Sequence, residues 1–219
     1  MDRLESKCKG FRVLSQSNGK LDWPKRGIYY FFESEEHRRG SYTKLRVVRV
    51  GTHAVSEGSK STLWGRLSSH KGNQKQGGGN HRGSIFRLLV GQALIDKRGL
   101  QNLETWGKGS SAKKEIRIHE EGLEKEVSQV IGRMPFLWLE IDIQPSKKSL
   151  RGNIERNSIA LLSQFQKPFG MGDVRSGNWL GNYSNRDKVR ASGLWNSNHI
   201  EEDYDPEFLD ILEAFIEKA

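Results

Sequence analysis

The sequence predicts an α/β (α+β) fold: a small, mainly antiparallel three-stranded sheet flanked by helices, with a C-terminal helical extension. Two β-rich runs, residues 27–32 and 45–50, are separated by a charged turn and indicate a hairpin. A third run, residues 136–143, lies between Pro135 and Pro145 and predicts a late strand. Apolar residues at helical spacing fill much of the chain between and after these strands.

Helices are predicted where apolar residues recur every three or four positions or a capping residue precedes them. They run from a Ser61 or Thr62 cap through His70, from a Ser84 cap, over residues 120–131, over residues 150–166 and from Pro206. Polar segments without this spacing are predicted to be turns or loops: residues 33–41, 71–83 and 99–111.

These elements divide the chain into three parts. Residues 1–21 form a polar N-terminal segment that we expect to pack loosely, and residues 22–166 form the core. Residues 167–199 are rich in Gly, Asn and Ser, and they open a C-terminal extension, 167–219, that ends in an acidic helix. Trp179 and Trp195 in this extension are expected to be buried over the core, with stacking on nucleic-acid bases as the alternative.

The charge is distributed unevenly along the chain. There are 36 Lys and Arg and 27 Asp and Glu residues, giving a net charge of +9. Residues 200–219 hold eight acidic residues and one basic residue, so this tail carries −7 and residues 1–199 carry +16. Such an excess favours a polyanionic partner, although charge alone does not separate DNA from RNA or a membrane surface, or from a solvated basic face.

The cellular compartment is predicted from what the composition excludes. Cys8 is the single cysteine, which excludes an internal disulfide and a cysteine-based zinc site. No apolar run approaches the roughly 20 residues that span a membrane, and the N-terminus has no apolar segment typical of a signal peptide. We therefore expect a cytoplasmic protein that does not enter a membrane.

Short motifs occur in a characteristic order along the core. Gly27-Ile28-Tyr29 opens the first strand, and Arg49-Val50-Gly51 ends the second. The segment Leu63–His70 follows, and a later helix carries Glu155. Over residues 22–166 this order resembles the GIY-YIG nuclease superfamily. The resemblance implies a metal-dependent endonuclease that hydrolyses DNA phosphodiesters with Mg²⁺ or Mn²⁺, and a restriction-like or defence role.

The resemblance also assigns candidate catalytic residues. Tyr29 is the implied general base, since a neighbouring metal ion or cation can activate its phenol. Arg66 would clamp the scissile phosphate, with His70 on the same helix face at i+4. Glu155 would hold the metal, because one carboxylate plus waters and phosphate oxygens suits Mg²⁺. The structural alternatives are a core aromatic for Tyr29 and solvated or helix-capping side chains for the other three. Tyr30 points to the opposite strand face and is predicted to be in the core.

Two positions depart from the family pattern or leave it open. Arg49 stands where the second motif has a tyrosine, and a guanidinium cannot be a base at neutral pH, although it can hold a water or phosphate. The family's Asn after the Glu-bearing helix is assigned to Asn178, with Asn182 and Asn196 as alternatives. Glu140 and Asp142 form another acidic pair on one strand face, for which a structural role is favoured.

Basic side chains surround the segment Gly77-Gly78-Gly79, which is predicted to be a DNA-contacting or disordered loop. The candidate DNA-binding residues are His53, Lys71, His81, Arg82 and Arg87. The Walker pattern is missing, so an NTPase is excluded. The acidic final helix is interpreted as a docking element or a homodimer contact. A binding module that has lost cleavage, suggested by Arg49, and an RNA-directed nuclease are the competing hypotheses.

Overall fold

The computed structural model describes residues 1–73, 75–101, 103–146, 149–165, 167 and 172–219. The strands are β1 (Arg12–Val13), β2 (Gly27–His37), β3 (Leu45–Thr52) and β4 (Pro135–Glu140). The helices are α1 (Asp2–Lys7), α2 (Leu63–Lys71), α3 (Ile85–Arg98), α4 (Lys114–Arg133), α5 (Leu150–Leu162), α6 (Asp187–Ser192) and α7 (Phe208–Lys218). Short 3₁₀ turns cover Leu14–Gln16, His81–Gly83 and Leu180–Tyr183.

The α+β class and the antiparallel hairpin are confirmed, but the predicted number of strands is wrong. The sheet has four strands in the order β1-β4-β2-β3, and every neighbouring pair is antiparallel. The extra strand is β1, whose residues Arg12 and Val13 pair with Phe136 and Pro135. Two residues are too few to show an alternating pattern, so no sequence pattern indicates this edge strand.

The central hairpin, β2 and β3, contains a β-bulge. Phe31 lies opposite Arg49, whereas Phe32 lies opposite Val47, which leaves Val48 as the extra residue of β3. A bulge of this kind re-aims the side chains of the bulged strand. Val48 packs in the same cluster as Tyr29, and the Arg49 guanidinium lies over the Phe86 ring on that face.

The two faces of the sheet are covered by different helices. One face packs against α2, α3 and α4, in a cluster that includes Tyr29, Phe31 and Phe86. The other face packs against α1, α5 and α7, in a cluster that includes Ile28, Tyr30 and Phe208. The prediction that Tyr30 is a core residue is confirmed, since its side chain is fully buried.

Two polar segments are more ordered than their composition suggested. The N-terminal segment, expected to pack loosely, contains α1 and β1 and buries Leu4 and Leu14 completely. The segment 33–41 is not all turn, because β2 continues to His37. Its charged residues are compatible with a strand because Glu36 is buried and accepts a hydrogen bond from Arg46 Nε at 2.6 Å across the hairpin.

The predicted helix caps are confirmed. Thr62 Oγ1 accepts from the Gly65 N–H at 3.1 Å to start α2, and Ser84 Oγ accepts from the Arg87 N–H at 3.3 Å to start α3. Helix α4 begins earlier than predicted, at Lys114. Its first turns are mostly charged, so they lack the apolar spacing from which a helix is predicted. Helix α5 ends at Leu162, and Gln166, where the predicted helix ended, lies outside the described residues.

The acidic C-terminal helix docks onto its own chain. Phe208, Leu212 and Ile216 pack into the cluster on the second face. Arg3 forms an ion pair with Glu213, and Lys7 Nζ donates to the Glu217 carbonyl at 2.6 Å. The extension before it includes α6, which was not predicted, and buries Trp179 and Trp195 as expected. No helix within the described parts of the chain is long and apolar enough to cross a membrane.

Candidate active site

The candidate active site is built on Tyr29 and the glycine opposite it. Tyr29 on β2 pairs with Gly51 on β3, so both face the helices α2 and α3. A Cβ atom at Gly51 would lie 2.3 Å from Tyr29 Oη and 2.4 Å from Cζ, which is far inside van der Waals contact. The second motif therefore needs glycine here because the tyrosine ring occupies the space of a side chain.

Tyr29 forms a hydrogen-bonded chain with two residues of the first helices. Tyr29 Oη lies 2.8 Å from His70 Nε2, and His70 Nδ1 lies 2.7 Å from Ser84 Oγ. The Tyr29 and His70 side chains are both buried. Burial lowers the pKa of His70 well below its usual value, and the charges of Arg49, Arg66 and Arg87 lower it further, so the imidazole is neutral. Ser84 is a site residue that the sequence presented only as a helix cap.

A buried ion pair fixes the end of helix α2 that carries His70. Arg87 Nη1 donates to the His70 carbonyl at 2.9 Å, and Arg87 Nε donates to Glu124 Oε2 at 3.0 Å. Arg87 is fully buried, and Glu124 is also buried. This pair joins α2, α3 and α4, so it positions the histidine main chain without contacting its ring.

Arg49 is buried beside the tyrosine rather than projecting into solvent. Its Nη1 donates to the Trp195 carbonyl, and its guanidinium carbon lies 4.8 Å from the centre of the Phe86 ring. Burial lowers the pKa of Arg49, while the nearby Tyr29 and Glu155 raise it. The residue that replaces the family tyrosine thus brings a fixed positive charge to the Tyr29 side chain.

Arg66 and Glu155 complete the cluster from opposite sides. Arg66 is half-buried on α2, and among the described residues its side chain donates one hydrogen bond, to the Gly83 carbonyl at 3.3 Å. Glu155 on α5 reaches the end of β3, where its Oε1 accepts from the Thr52 N–H at 3.1 Å. Burial raises the pKa of Glu155, and the charges of Arg49, His199 and Arg66, with the Thr52 hydrogen bond, oppose that rise. The structure therefore brings Tyr29, Arg49, Arg66, His70 and Glu155 into one region.

The candidate asparagines lie in different surroundings. Asn178 is exposed, and no hydrogen bond within the described residues links it to the cluster. Asn196 is buried and pairs with the strand that carries Arg49: its Oδ1 accepts from the Val50 N–H at 3.1 Å, and its Nδ2 donates to the Val50 carbonyl at 2.9 Å. Spacing could not choose between these asparagines because the segment before them has no regular pattern.

The predicted DNA-binding residues have largely internal contacts. His81 is buried, with Nδ1 2.9 Å from Glu124 Oε1, and Arg82 forms an ion pair with Glu120 at 2.6 Å. Arg87 is the buried residue that pairs with Glu124. The side chains of Glu120 and Glu124, at helical spacing on α4, thereby anchor the loop that follows the glycine run.

His53 also has an internal role. Its Nε2 accepts from the Gly27 N–H at 3.3 Å, and its Nδ1 lies 3.2 Å from the Ser61 carbonyl. Burial lowers the pKa of His53 to about 4, so the ring is neutral and joins the two motif strands to the start of α2. Lys71, which is half-buried, donates to the Ser17 carbonyl at 2.5 Å.

The donor set near Glu155 decides what metal the site could hold. Within the described residues, no group of three or more His, Cys, Asp or Glu side chains converges on a point. Glu155 offers one carboxylate, oriented through Oε1 by the Thr52 N–H. Such a set fits a hard ion that keeps most of its water ligands, as Mg²⁺ does, and does not fit zinc.

Comparison with known proteins identifies the family of this chain. A family model described as the GIY-YIG domain matches residues 1–219, the entire chain. No curated protein and no solved structure matched the chain. Since the match extends over both motif strands, the Glu155 helix and the C-terminal extension, this chain belongs to the GIY-YIG family.

Proposed function

We propose that this protein is an endonuclease that hydrolyses DNA phosphodiesters with Tyr29 as general base. The observation that carries the proposal is the 2.8 Å contact between Tyr29 Oη and a neutral, buried His70 Nε2. A neutral imidazole has one lone pair, which can accept the phenol proton while Nδ1–H donates to Ser84 Oγ. The phenol oxygen can then take a proton from the attacking water.

In the proposed reaction, the bound substrate changes the basicity of His70. In the free protein, His70 is a weak base, first because its ring is buried and then because three arginine charges act on it. A phosphodiester bound by Arg66 places a negative charge among those arginines and offsets them. The basicity of His70 therefore increases when the substrate is in place, which ties activation of Tyr29 to binding of the phosphate.

Arg49, Arg66 and Glu155 have distinct roles in the proposed reaction. The Arg66 guanidinium donates one hydrogen bond within the described residues, which leaves its other donors for a phosphate oxygen. Arg49 contributes a fixed charge beside Tyr29 and positions the Trp195 main chain. Glu155 would hold Mg²⁺ or Mn²⁺, which would stabilise charge that develops on the phosphate.

Plasmid cleavage in Mg²⁺ tests the proposal. Tyr29→Phe and Glu155→Gln should each lower the cleavage rate by about 10²- to 10⁴-fold, the range that a general base or a charge-stabilising group contributes. Tyr42→Phe is the matched control, because Tyr42 is 96% exposed on the hairpin turn. Wild-type rates in Tyr29→Phe with an intact fold would refute the tyrosine mechanism.

The same assay addresses the finer parts of the proposal. A restriction-like enzyme yields discrete fragments from plasmid DNA, whereas a nonspecific nuclease yields a smear. Cleavage of RNA in preference to DNA at one fixed salt concentration would replace DNA with RNA as the substrate. A protein that binds DNA without nicking it in any divalent metal would support the inactive binding module. A homodimer and a cytoplasmic location stay predictions.

A further inference from the structure

A second concave site lies on the side of helix α2 that faces away from the catalytic residues. It is a cavity of about 410 Å³ between the C-terminal half of α2, the segment around residue 18 and helix α4. This volume is within the range of ligand-sized sites. Its chemically distinctive lining residues are Asn18, Trp64, Ser68, Lys71, Lys75 and Ser128.

The walls of the cavity combine a fixed aromatic ring with positive charge. The Trp64 ring is stacked on Trp23, with centroids 5.1 Å apart and planes 21° apart. The Lys71 ammonium lies 6.0 Å from the centre of the Trp64 ring, and Lys75 is exposed at the rim. None of the described residues that line the cavity carries a carboxylate. A ligand that combines a planar ring with negative charge fits these walls.

Internal contacts hold the floor of the cavity in place. Gly72 has a φ of +66°, and a Cβ atom there would lie 2.1 Å from the Gly78 carbonyl oxygen and 2.6 Å from Ser128 Oγ. Ser128 Oγ donates to the same Gly78 carbonyl at 3.0 Å. The glycine-rich segment is thus fastened to α4 under the cavity, so a ligand would meet a preformed shape.

Helix α2 joins this cavity to the catalytic cluster. Trp64, Ser68 and Lys71 follow one another at i, i+4 and i+7 and share one helix face, whereas Arg66 and His70 lie on roughly the opposite face. A helix with its side chains is about 10–12 Å across. A ligand in the cavity would therefore lie at least that far from a phosphate at Arg66.

We propose that the cavity binds a nucleotide of the substrate whose base is unpaired and out of the helical stack. The inference rests on the proposed nuclease function for the source of the nucleotide. Within a paired duplex both faces of a base are covered by its neighbours, so only an unstacked base can lie against Trp64. The lysines would contact its phosphate.

Equilibrium binding without a divalent metal tests this inference apart from cleavage. The probes are a duplex with one unpaired 2-aminopurine nucleotide, the same duplex fully paired, and free deoxyadenosine monophosphate. We expect the unpaired probe to bind more tightly than the paired one, and its 2-aminopurine fluorescence to be quenched on binding. Trp64→Ala should weaken its binding by roughly 5- to 150-fold, whereas Trp64→Phe should retain most of it.

Trp138→Ala is the matched control, because Trp138 is also half-buried and lies 5.0 Å from Trp23 but does not line the cavity. Equal weakening by Trp64→Ala and Trp138→Ala would overturn the proposal, as would equal binding of paired and unpaired duplexes. Free deoxyadenosine monophosphate that binds as tightly as the unpaired duplex would also overturn it, in favour of a small-molecule site. If the protein cleaves DNA but Trp64→Ala leaves binding of the unpaired probe unchanged, only the nucleotide site is rejected. If the protein binds the unpaired probe selectively but does not cleave DNA, only the nuclease function is rejected.

Discussion

Substitution of Gly51 by alanine isolates the geometric link between the two motifs. The new Cβ atom would lie 2.3 Å from Tyr29 Oη, and ordinary contact begins near 3.4 Å, so the ring must move by at least about 1.1 Å. The ring is enclosed by Phe31 and His70, whose ring centres lie 5.6 and 5.5 Å from its own. A displaced ring therefore loses or distorts its 2.8 Å hydrogen bond to His70.

The expected cost of Gly51→Ala follows from this overlap. Overpacking of a dense core costs about 1–3 kcal/mol of unfolding free energy. A misplacement of about 1 Å at a catalytic group costs roughly 100-fold in rate. Urea denaturation followed by tryptophan fluorescence would measure the first quantity, and plasmid cleavage the second.

Gly122→Ala is the control for Gly51→Ala, since that glycine is exposed on α4 and nothing lies within 4 Å of its added Cβ. It should stabilise the protein by up to about 1 kcal/mol through helix propensity. The double variant Gly51→Ala/Tyr29→Ala should show strong non-additivity, because removal of the ring removes the clash. If Gly51→Ala matched Gly122→Ala in stability and cleaved DNA at the wild-type rate, the account of the second-motif glycine would be wrong.

Three further predictions concern the residues around the cluster. Ser84→Ala should lower the free energy of unfolding by about 1 kcal/mol, because a helix cap is lost, and kcat by roughly 10- to 100-fold, because His70 loses its Nδ1 partner. Ser84→Thr should keep wild-type stability in denaturation and the wild-type rate in cleavage assays. Arg87→Met should cost about 3–5 kcal/mol in urea denaturation, because it leaves the Glu124 carboxylate buried without its guanidinium. His53 has its pKa lowered to about 4, so its contribution to stability is full above pH 6.5 and is lost as pH falls towards 4. That loss is up to about 3 kcal/mol. Denaturation at several pH values should show a fall in stability that is smaller by this amount in His53→Gln than in wild type, because His70, whose pKa burial also lowers, contributes to the fall in both proteins.

The sequence predicted the parts of the fold that rest on local patterns. The caps at Thr62 and Ser84 are predictable because a hydroxyl before a helix accepts a hydrogen bond from an N–H only three residues later in the chain. The edge strand at Arg12 was missed because its two residues become a strand only through pairing with β4. Glu36 was predicted to be in a turn because a charged residue is rarely buried unless it is paired, and its partner Arg46 lies across the hairpin.

The roles of site residues that depend on contacts distant in the sequence were likewise not predicted. Tyr29, Arg66 and Glu155 came from motif order, since the family resemblance specifies them by position along the chain. The roles of His81, Arg82 and Arg87 depend on Glu120 and Glu124, which are more than 35 positions away along the chain. A basic side chain beside a glycine-rich segment suggests a phosphate contact until its carboxylate partner is known.

The charges of the site indicate why an arginine can stand in the second motif. Arg49 is held by the Trp195 carbonyl, and its pairing opposite Phe31 places it on the face of Tyr29. A tyrosine there would be neutral at physiological pH, whereas the guanidinium adds a charge to a buried region. That charge is costly in the free protein and is offset when an anion binds. Under the proposed function, the arginine therefore exchanges a second hydroxyl for greater dependence of the site on a bound phosphate.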